Sequence, residues 1–245
     1  MEKKENNLKE SSKLTEILDC IQGTRQEDIK LHFITRIMKA GIKKRDKTLS
    51  KYVFKVYQID VDDEIRKYLY EQSVKVLERT VEKDYSLIDY DPISDDTEHL
   101  FSYKLKEETS SFSDVVVNQL GSELPKVESI NGIMSDSEEL WAYCIGFLDV
   151  ENGSWIYTFR KILSGKVAID ENNDPEKNFV WRQIRTVFNT TSKKLTLMKG
   201  EAVILAKQGD CIYCNDRFYV FERVRGKQIV GLQEVYREIA VEVVG

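Results

Sequence analysis

The sequence predicts an α+β protein in which N-terminal helices and strands lead into a mainly antiparallel curled sheet or partly open barrel. Three observations carry this. From Leu140 onward the chain breaks into short runs of alternating apolar and polar residues, the period of a half-buried strand. Turn residues stand between the runs at Glu151-Asn152-Gly153, Lys199-Gly200 and Asn215-Asp216. In the N-terminal half, Ile65, Leu69, Val74, Leu77 and Val81 form one long apolar stripe at helical spacing.

Taken in order, the first dozen residues are polar and read as a frayed lead-in to a short helix over Leu14–Gln22, which Gly23-Thr24 stops. Ile29–Ile34 reads as a strand, and the basic linker Lys43–Lys47 separates it from a second strand at Val53–Ile59, rich in β-branched and aromatic residues. Asp60 or Asp62 caps the long helix, acidic residues in its first turn suit the helix dipole, and it runs to about Glu82. Asp91-Pro92 marks a turn, Phe101–Leu105 fits no single element, and Lys106–Ser113 reads as an acidic loop. A helix at Phe112–Leu120 enters the second half. Strands follow at Leu140–Asp149, Trp155–Leu163, Phe179–Asn189, Lys194–Met198, Ala202–Lys207, Asp210–Cys214 and Phe218–Arg223, and a short helix at Val230–Val244 ends the chain. Two regions result: 1–125, α/β with the acidic loop, and 126–245, β-rich. A helix so near the chain end reads as unfinished, as in a shortened chain without a further C-terminal module.

At 245 residues the chain is long enough to bury a sizeable core. No apolar run approaches the roughly 20 residues of a membrane span, and MEKKENNLKE has no apolar signal core, so a cytoplasmic protein is expected. Its cysteines, Cys20, Cys144, Cys211 and Cys214, are too few for a disulfide framework. The net charge of −5 conceals segregation. Gly23–Lys51 holds nine basic residues against three acidic, Asp84–Glu139 three against fourteen, and Trp155–Val230 fourteen against eight. Such a chain can present basic surfaces under an acidic total.

The candidate chemistry follows from those basic stretches. Arg182 and Arg185 flank a strand, Lys193 and Lys194 mark a turn, and Arg217, Arg223, Arg225 and Lys227 surround the last hairpin. Gathered on one sheet face, they would neutralise phosphates with little base specificity, while Trp181, Tyr213, Phe218 and Tyr219 would stack on unpaired bases. The same pattern also suits a solvated face above an aromatic core. Cys211 and Cys214 form a CxxC without a second ligand pair, and on a strand their sulfurs point to opposite faces, so no metal is expected. His32 lies among apolar neighbours and reads as a packing residue, and His99 is the only other histidine. Asp89, Asp91, Asp95, Asp96 and Glu98 read as a solvated loop, with a cation site or a DNA-mimicking patch as alternatives. Asp170–Lys177 has the residue types of a nuclease in a turn-like loop. No phosphate-cradling glycine motif is present, no catalytic residue stands out, and neither a cofactor nor a small-molecule substrate is expected.

The order IKLHFITR, VFKVYQIDVDDEI, YDPISDD, WAYCIGFLDVENGSWIYTFRKI and KLTLMKGEAVILAKQGDCIYCNDRFYVFERV resembles the KwaB family of the Kiwa anti-phage defence system. The last block is the most specific: Val203-Ile204-Leu205, then Asp210-Cys211-Ile212-Tyr213, then Phe218–Glu222 returning through an aromatic strand. The likeness covers roughly 29–224. It implies a bacterial defence component with DNA as ligand and a small KwaA-like membrane protein as partner, which would recruit it to the inner membrane. The family's members carry a further helical stretch after this hairpin, and its absence leaves homodimerisation open.

The expectation is a non-enzymatic DNA-binding defence component. Two alternatives remain: a module that docks a phage protein or membrane subunit, and a cation-dependent nuclease.

Overall fold

The computed structural model describes residues 2–39, 52–83, 87–90, 100–104, 112, 115–124, 126–127, 137–162, 186–189, 194–197 and 209–231. Two compact units are distinguished, Met1–Lys161 with Ala206–Gly245, and Ile162–Leu205. Helix α1 spans Glu2–Gly23, extending through the polar lead-in expected to fray, because Lys, Glu and Leu are strong helix formers. Its Leu14, Ile17, Leu18 and Ile21 are buried. Helix α2 spans Asp63–Glu82, and Asp62 caps it by accepting the Ile65 N–H at 2.8 Å.

The strands of the larger unit are β1 (Lys30–Met38), β2 (Tyr52–Ile59), β3 (Leu87–Asp89), β4 (Leu100–Lys104), β5 (Lys126–Val127), β6 (Glu138–Asp149) and β7 (Ser154–Lys161). The smaller unit contributes β8 (Thr186–Asn189) paired antiparallel with β9 (Lys194–Leu197). After it come β10 (Cys211–Cys214), β11 (Arg217–Val220) and helix α3 (Arg223–Val230). Nine strands join in the order β3-β4-β11-β10-β7-β6-β1-β2-β5. Pairing is antiparallel except at the two edges, where β3 joins β4 and β5 joins β2 in parallel. The sheet is therefore open, not closed into a barrel. The expected division at residue 125 falls inside it, since strands from before and after that point alternate across the one sheet.

Alternation along the strands sorts the side chains between two covered faces. Val56, Ile34 and Ala142 follow one another across the registered pairs, as do Cys144, Phe159, Cys211, Val220 and Phe101, and both rows share a core with Phe112, Val115, Leu120, Ile229 and Val230. This face is thus covered by α3 and by Phe112, Val115 and Leu120. Phe112 is its hub, edge-on to Phe54 at 5.5 Å and to Phe159 at 5.7 Å. On the other face Arg160 donates to Tyr143 Oη and to Ser73 Oγ of α2, both at 3.2 Å, so α2 covers that side.

Two elements differ from expectation for identifiable reasons. Where a helix was expected at Phe112–Leu120, Val115–Gln119 forms a π-helical turn. The Gln119 side chain accepts the Val56 N–H and donates to the Phe54 carbonyl, both at 3.0 Å, which takes the place of a neighbouring strand against β2. Past Val220 the expected strand turns into α3, because Glu222 caps the helix by accepting the Arg225 N–H. Beyond Val230, which closes α3, and Gly231, the helix expected at Val230–Val244 lies outside the described residues, as does the strand at Ala202–Lys207.

Helix α3 meets the sheet at Gly226. A Cβ there would stand 2.7 Å from Val220 Cγ1 and 2.8 Å from the Asp210 carbonyl oxygen. Gly226→Ala is expected to lower stability by about 1–3 kcal/mol despite alanine's better helix propensity. Urea unfolding checks this; a midpoint at or above that of the parent would contradict the close packing.

Candidate functional site

Among the described residues, Arg217, Arg225 and Lys227 do not meet on one exposed face. Arg182, Arg185 and Lys193 lie outside the described residues, as does Trp181. Lys194 opens β9 and Arg223 opens α3. Arg217 donates from Nη1 to Asp89 Oδ1 at 2.9 Å and to Ser102 Oγ at 2.7 Å, clamping β11 to the edge strands. Arg225 Nε lies 3.0 Å from buried Asp210 Oδ1, close in distance without the alignment of a hydrogen bond. Lys227 Nζ sits 4.8 Å over the Tyr90 ring and 5.5 Å over Phe101. Arg217 thus belongs to the α2 side of the sheet and Lys227 to the α3 side. Phe218 and Tyr219 are buried, leaving only Tyr213 of the described stacking candidates half open.

Cys211 and Cys214 are free and buried, and burial raises both thiols, Cys214 to about 11. Asp89 pairs with Arg217, while Asp91, Asp95, Asp96, Glu98, His99 and Asp170–Lys177 lie outside the described residues. Among the described residues no group of His, Cys, Asp or Glu is placed to hold a metal ion, and no helix is long and apolar enough to cross a membrane.

A second charged cluster gathers at one end of the sheet. Arg36 bonds Glu139 at 2.8 Å with its guanidinium 3.9 Å over Trp141 and 4.4 Å over Tyr52. Lys161 lies against the same Trp141 ring, and burial, then the nearby Arg36, pushes its ammonium down to about 7. A lysine so shifted has a nucleophile's proton affinity. Here, though, Nζ donates to the Trp141 carbonyl at 3.2 Å and the residue is only 8% exposed, so it holds the cluster together.

What the sequence reading missed is an open concavity of about 390 Å³ lined by half-buried Trp155 and Tyr213, buried Tyr157, and Gly121, Ser154, Asn215 and Asp216. Register builds it. Tyr157 stands opposite both Tyr213 of β10 and Gly146 of β6. A Cβ on Gly146 would come within 3.1 Å of the Tyr157 ring and 3.3 Å of the Trp155 ring, so its absence lets both rings lie down on the sheet. They are nearly parallel, at 16° with centroids 6.2 Å apart. The Tyr157 hydroxyl donates to the Leu120 carbonyl at 2.8 Å, fixing the floor to the covering segment. Lys30, paired with Gly146 across β1 and β6, places Nζ 4.4 Å over the Trp155 ring. Gly146 and Trp155 were the signal: they fall into place by counting outward from the Glu151–Gly153 turn.

His32 supports this floor from within, edge-on to Tyr157 at 6.2 Å, and its Nδ1 has no hydrogen-bond partner. Burial, then the charge of Lys30, lowers its proton affinity from the ordinary 6.5 to about 4. It is a neutral packing residue at pH 7, as its apolar neighbours in the sequence indicated. Because the folded value lies below the unfolded one, its contribution is present above about 6.5 and is lost as pH falls through about 4, amounting to about 3 kcal/mol. Unfolding free energies at pH 7 and 4.5 should therefore fall further apart in the parent than in His32→Phe. Equal differences in the two proteins would refute the assignment.

Compared with protein-family models, curated proteins and solved structures, the chain has no match, so its likeness to the KwaB family rests on the sequence pattern alone.

Proposed function

We propose that this chain is a non-enzymatic, cytoplasmic component of a Kiwa-type anti-phage defence system, which binds nucleic acid by taking unpaired bases onto the half-buried rings of Trp155 and Tyr213, with buried Tyr157 supporting them from beneath. The observation that carries this is the concavity itself, open to solvent, aromatic at its base and large enough for a small planar ligand. Every base has a π-face, and stacking on aromatic side chains contributes about 1–3 kcal/mol per base. Lys30 beside Trp155 supplies a cation for the adjoining phosphate. The resemblance to the KwaB family, with DNA as the implied ligand, supports the same reading from a separate direction. This reading moves the binding surface away from Arg217, Arg225 and Lys227, whose charges already hold partners within the fold.

A second reading, docking of a protein such as the small membrane subunit, is favoured by Ile65 and Tyr68, which are 42% and 46% exposed one turn apart on α2. Tyr68→Asp would abolish co-purification with that subunit without weakening nucleic-acid binding.

The test is fluorescence anisotropy of a labelled single-stranded thymidine oligonucleotide and of a duplex of equal length, at low and moderate salt. The single strand should bind more tightly, and Trp155→Ala should weaken it about tenfold, the loss of one stacked base. Equal binding of both forms, unchanged by Trp155→Ala, would remove the ligand from the concavity. No binding at low salt would sink nucleic-acid recognition and leave the docking reading.

A further inference from the structure

We propose that the concavity selects guanine, through the carboxylate of Asp216. The inference rests on the reading of the concavity as a base site and adds to it a preference that stacking alone does not give.

The Asn215-Asp216 turn joins β10 to β11 by a two-residue hairpin, with Cys214 paired to Arg217. Both turn residues are left-handed, at φ 49° and 59°. Such turns favour glycine at the second position, and Asp is among the few residues with a side chain that tolerate it. A non-glycine residue held in this region is a reason to ask what its side chain does. Here it lines the concavity. Oδ1 accepts the Tyr213 hydroxyl at 3.0 Å, which orients the carboxylate from the floor of the same site. Burial, then the bond to Asp216, raises the Tyr213 phenol, so it remains the donor in this pair. Among the described residues Oδ2 has no partner, leaving acceptor capacity at the rim of an aromatic floor.

An ionised carboxylate only accepts hydrogen bonds. Guanine is the base whose Watson–Crick edge offers adjacent donors, N1–H and the N2 amino group, that one carboxylate can take together. Adenine and cytosine set an amino donor beside a ring-nitrogen acceptor that the carboxylate repels, and thymine places its N–H between carbonyl acceptors. A cationic ligand would also suit aromatic rings and a carboxylate. Lys30 already occupies that role over Trp155, and its ammonium repels a second cation while attracting the phosphate of a nucleotide. The arrangement therefore favours a neutral planar group with donors on one edge.

Labelled thymidine oligonucleotides carrying one central guanine, adenine, cytosine or hypoxanthine are titrated against the full chain by anisotropy. The guanine strand should bind about tenfold more tightly than the adenine strand, with hypoxanthine, which lacks the N2 amino group, between them. Asp216→Asn and Asp216→Gly should bring the guanine-to-adenine ratio to near one. Glycine relieves the left-handed turn, so an unchanged or raised urea midpoint in that variant separates lost selectivity from lost folding. Equal affinities for all four strands, still weakened by Trp155→Ala, would overturn guanine selection and leave the base-binding reading standing. Absence of binding by every strand would overturn both. Displacement of the guanine strand by choline or arginine but not by guanosine monophosphate would assign the concavity to a cationic ligand and overturn the proposal.

Discussion

The buried carboxylate of Asp210 is the constraint on which the arrangement of this sheet depends. Its Oδ2 accepts the Lys161 N–H at 2.6 Å, at the end of β7, and its Oδ1 lies 3.0 Å from Arg225 Nε on α3. Its backbone N–H donates to the Phe159 carbonyl, and its own carbonyl accepts from Phe221 and Glu222, where β11 gives way to α3. One residue thus joins the end of β7, the start of β10, the exit of β11 and the covering helix. Burial raises the carboxyl, while the Lys161 N–H and the Arg225 charge favour its ionised form. Removing one partner from such a buried pair leaves an uncompensated charge, whereas the intact pair adds little net stability. Its consequence is positional: with Asp210 held, Cys211 faces Phe159 and Tyr213 faces Tyr157.

That position makes the concavity a product of backbone register more than of any loop. Trp155, Tyr157 and Tyr213 stand on strands hydrogen-bonded to their neighbours, and the turn carrying Asn215 and Asp216 is the shortest hairpin connection. The rings rest on a glycine, and one hydroxyl is tied to the Leu120 carbonyl. A site held this way loses little conformational freedom when a ligand arrives, which favours affinity without requiring a large contact area.

Local pattern exposed much of this architecture. The alternation in Leu140–Asp149 and Trp155–Leu163, with Glu151-Asn152-Gly153 between, specifies a hairpin, and β6 and β7 follow it closely. Asp62 ahead of the Ile65–Val81 stripe specifies α2, although Ile65 itself is exposed and Ser73 is buried instead, because the inward face must meet Arg160. The direction of a basic side chain is another matter. Arg217 faces Asp89 and Ser102, residues more than a hundred positions away, and no window around the last hairpin contains them. Strand order decides whether such an arginine meets water or a carboxylate, and strand order is not written locally. Trp155 and Gly146 were within reach by counting from the turn, but a lone tryptophan at a strand start carries no signal until the glycine diagonal to it on the next strand is noticed.

The placement of the guanidiniums bears on how a polyanion would be held. Arg36 is sandwiched between Tyr52 and Trp141 and bonded to Glu139, Arg160 is buried beneath α2, Arg217 clamps an edge, and Arg225 pairs with Asp210. Arginine suits these tasks, because its planar fork bonds carboxylates while its face stacks on rings. Each such contact withdraws a cation from the surface of a chain whose net charge is already −5. Affinity built from phosphate neutralisation needs many free cations acting together and releases a counterion for each. Among the described residues the charges at the concavity are few, and the aromatic surface is its larger resource. On the proposed reading, then, discrimination between paired and unpaired nucleic acid follows from the fold: a duplex hides its base faces and offers phosphates, whereas this concavity offers rings and one oriented carboxylate.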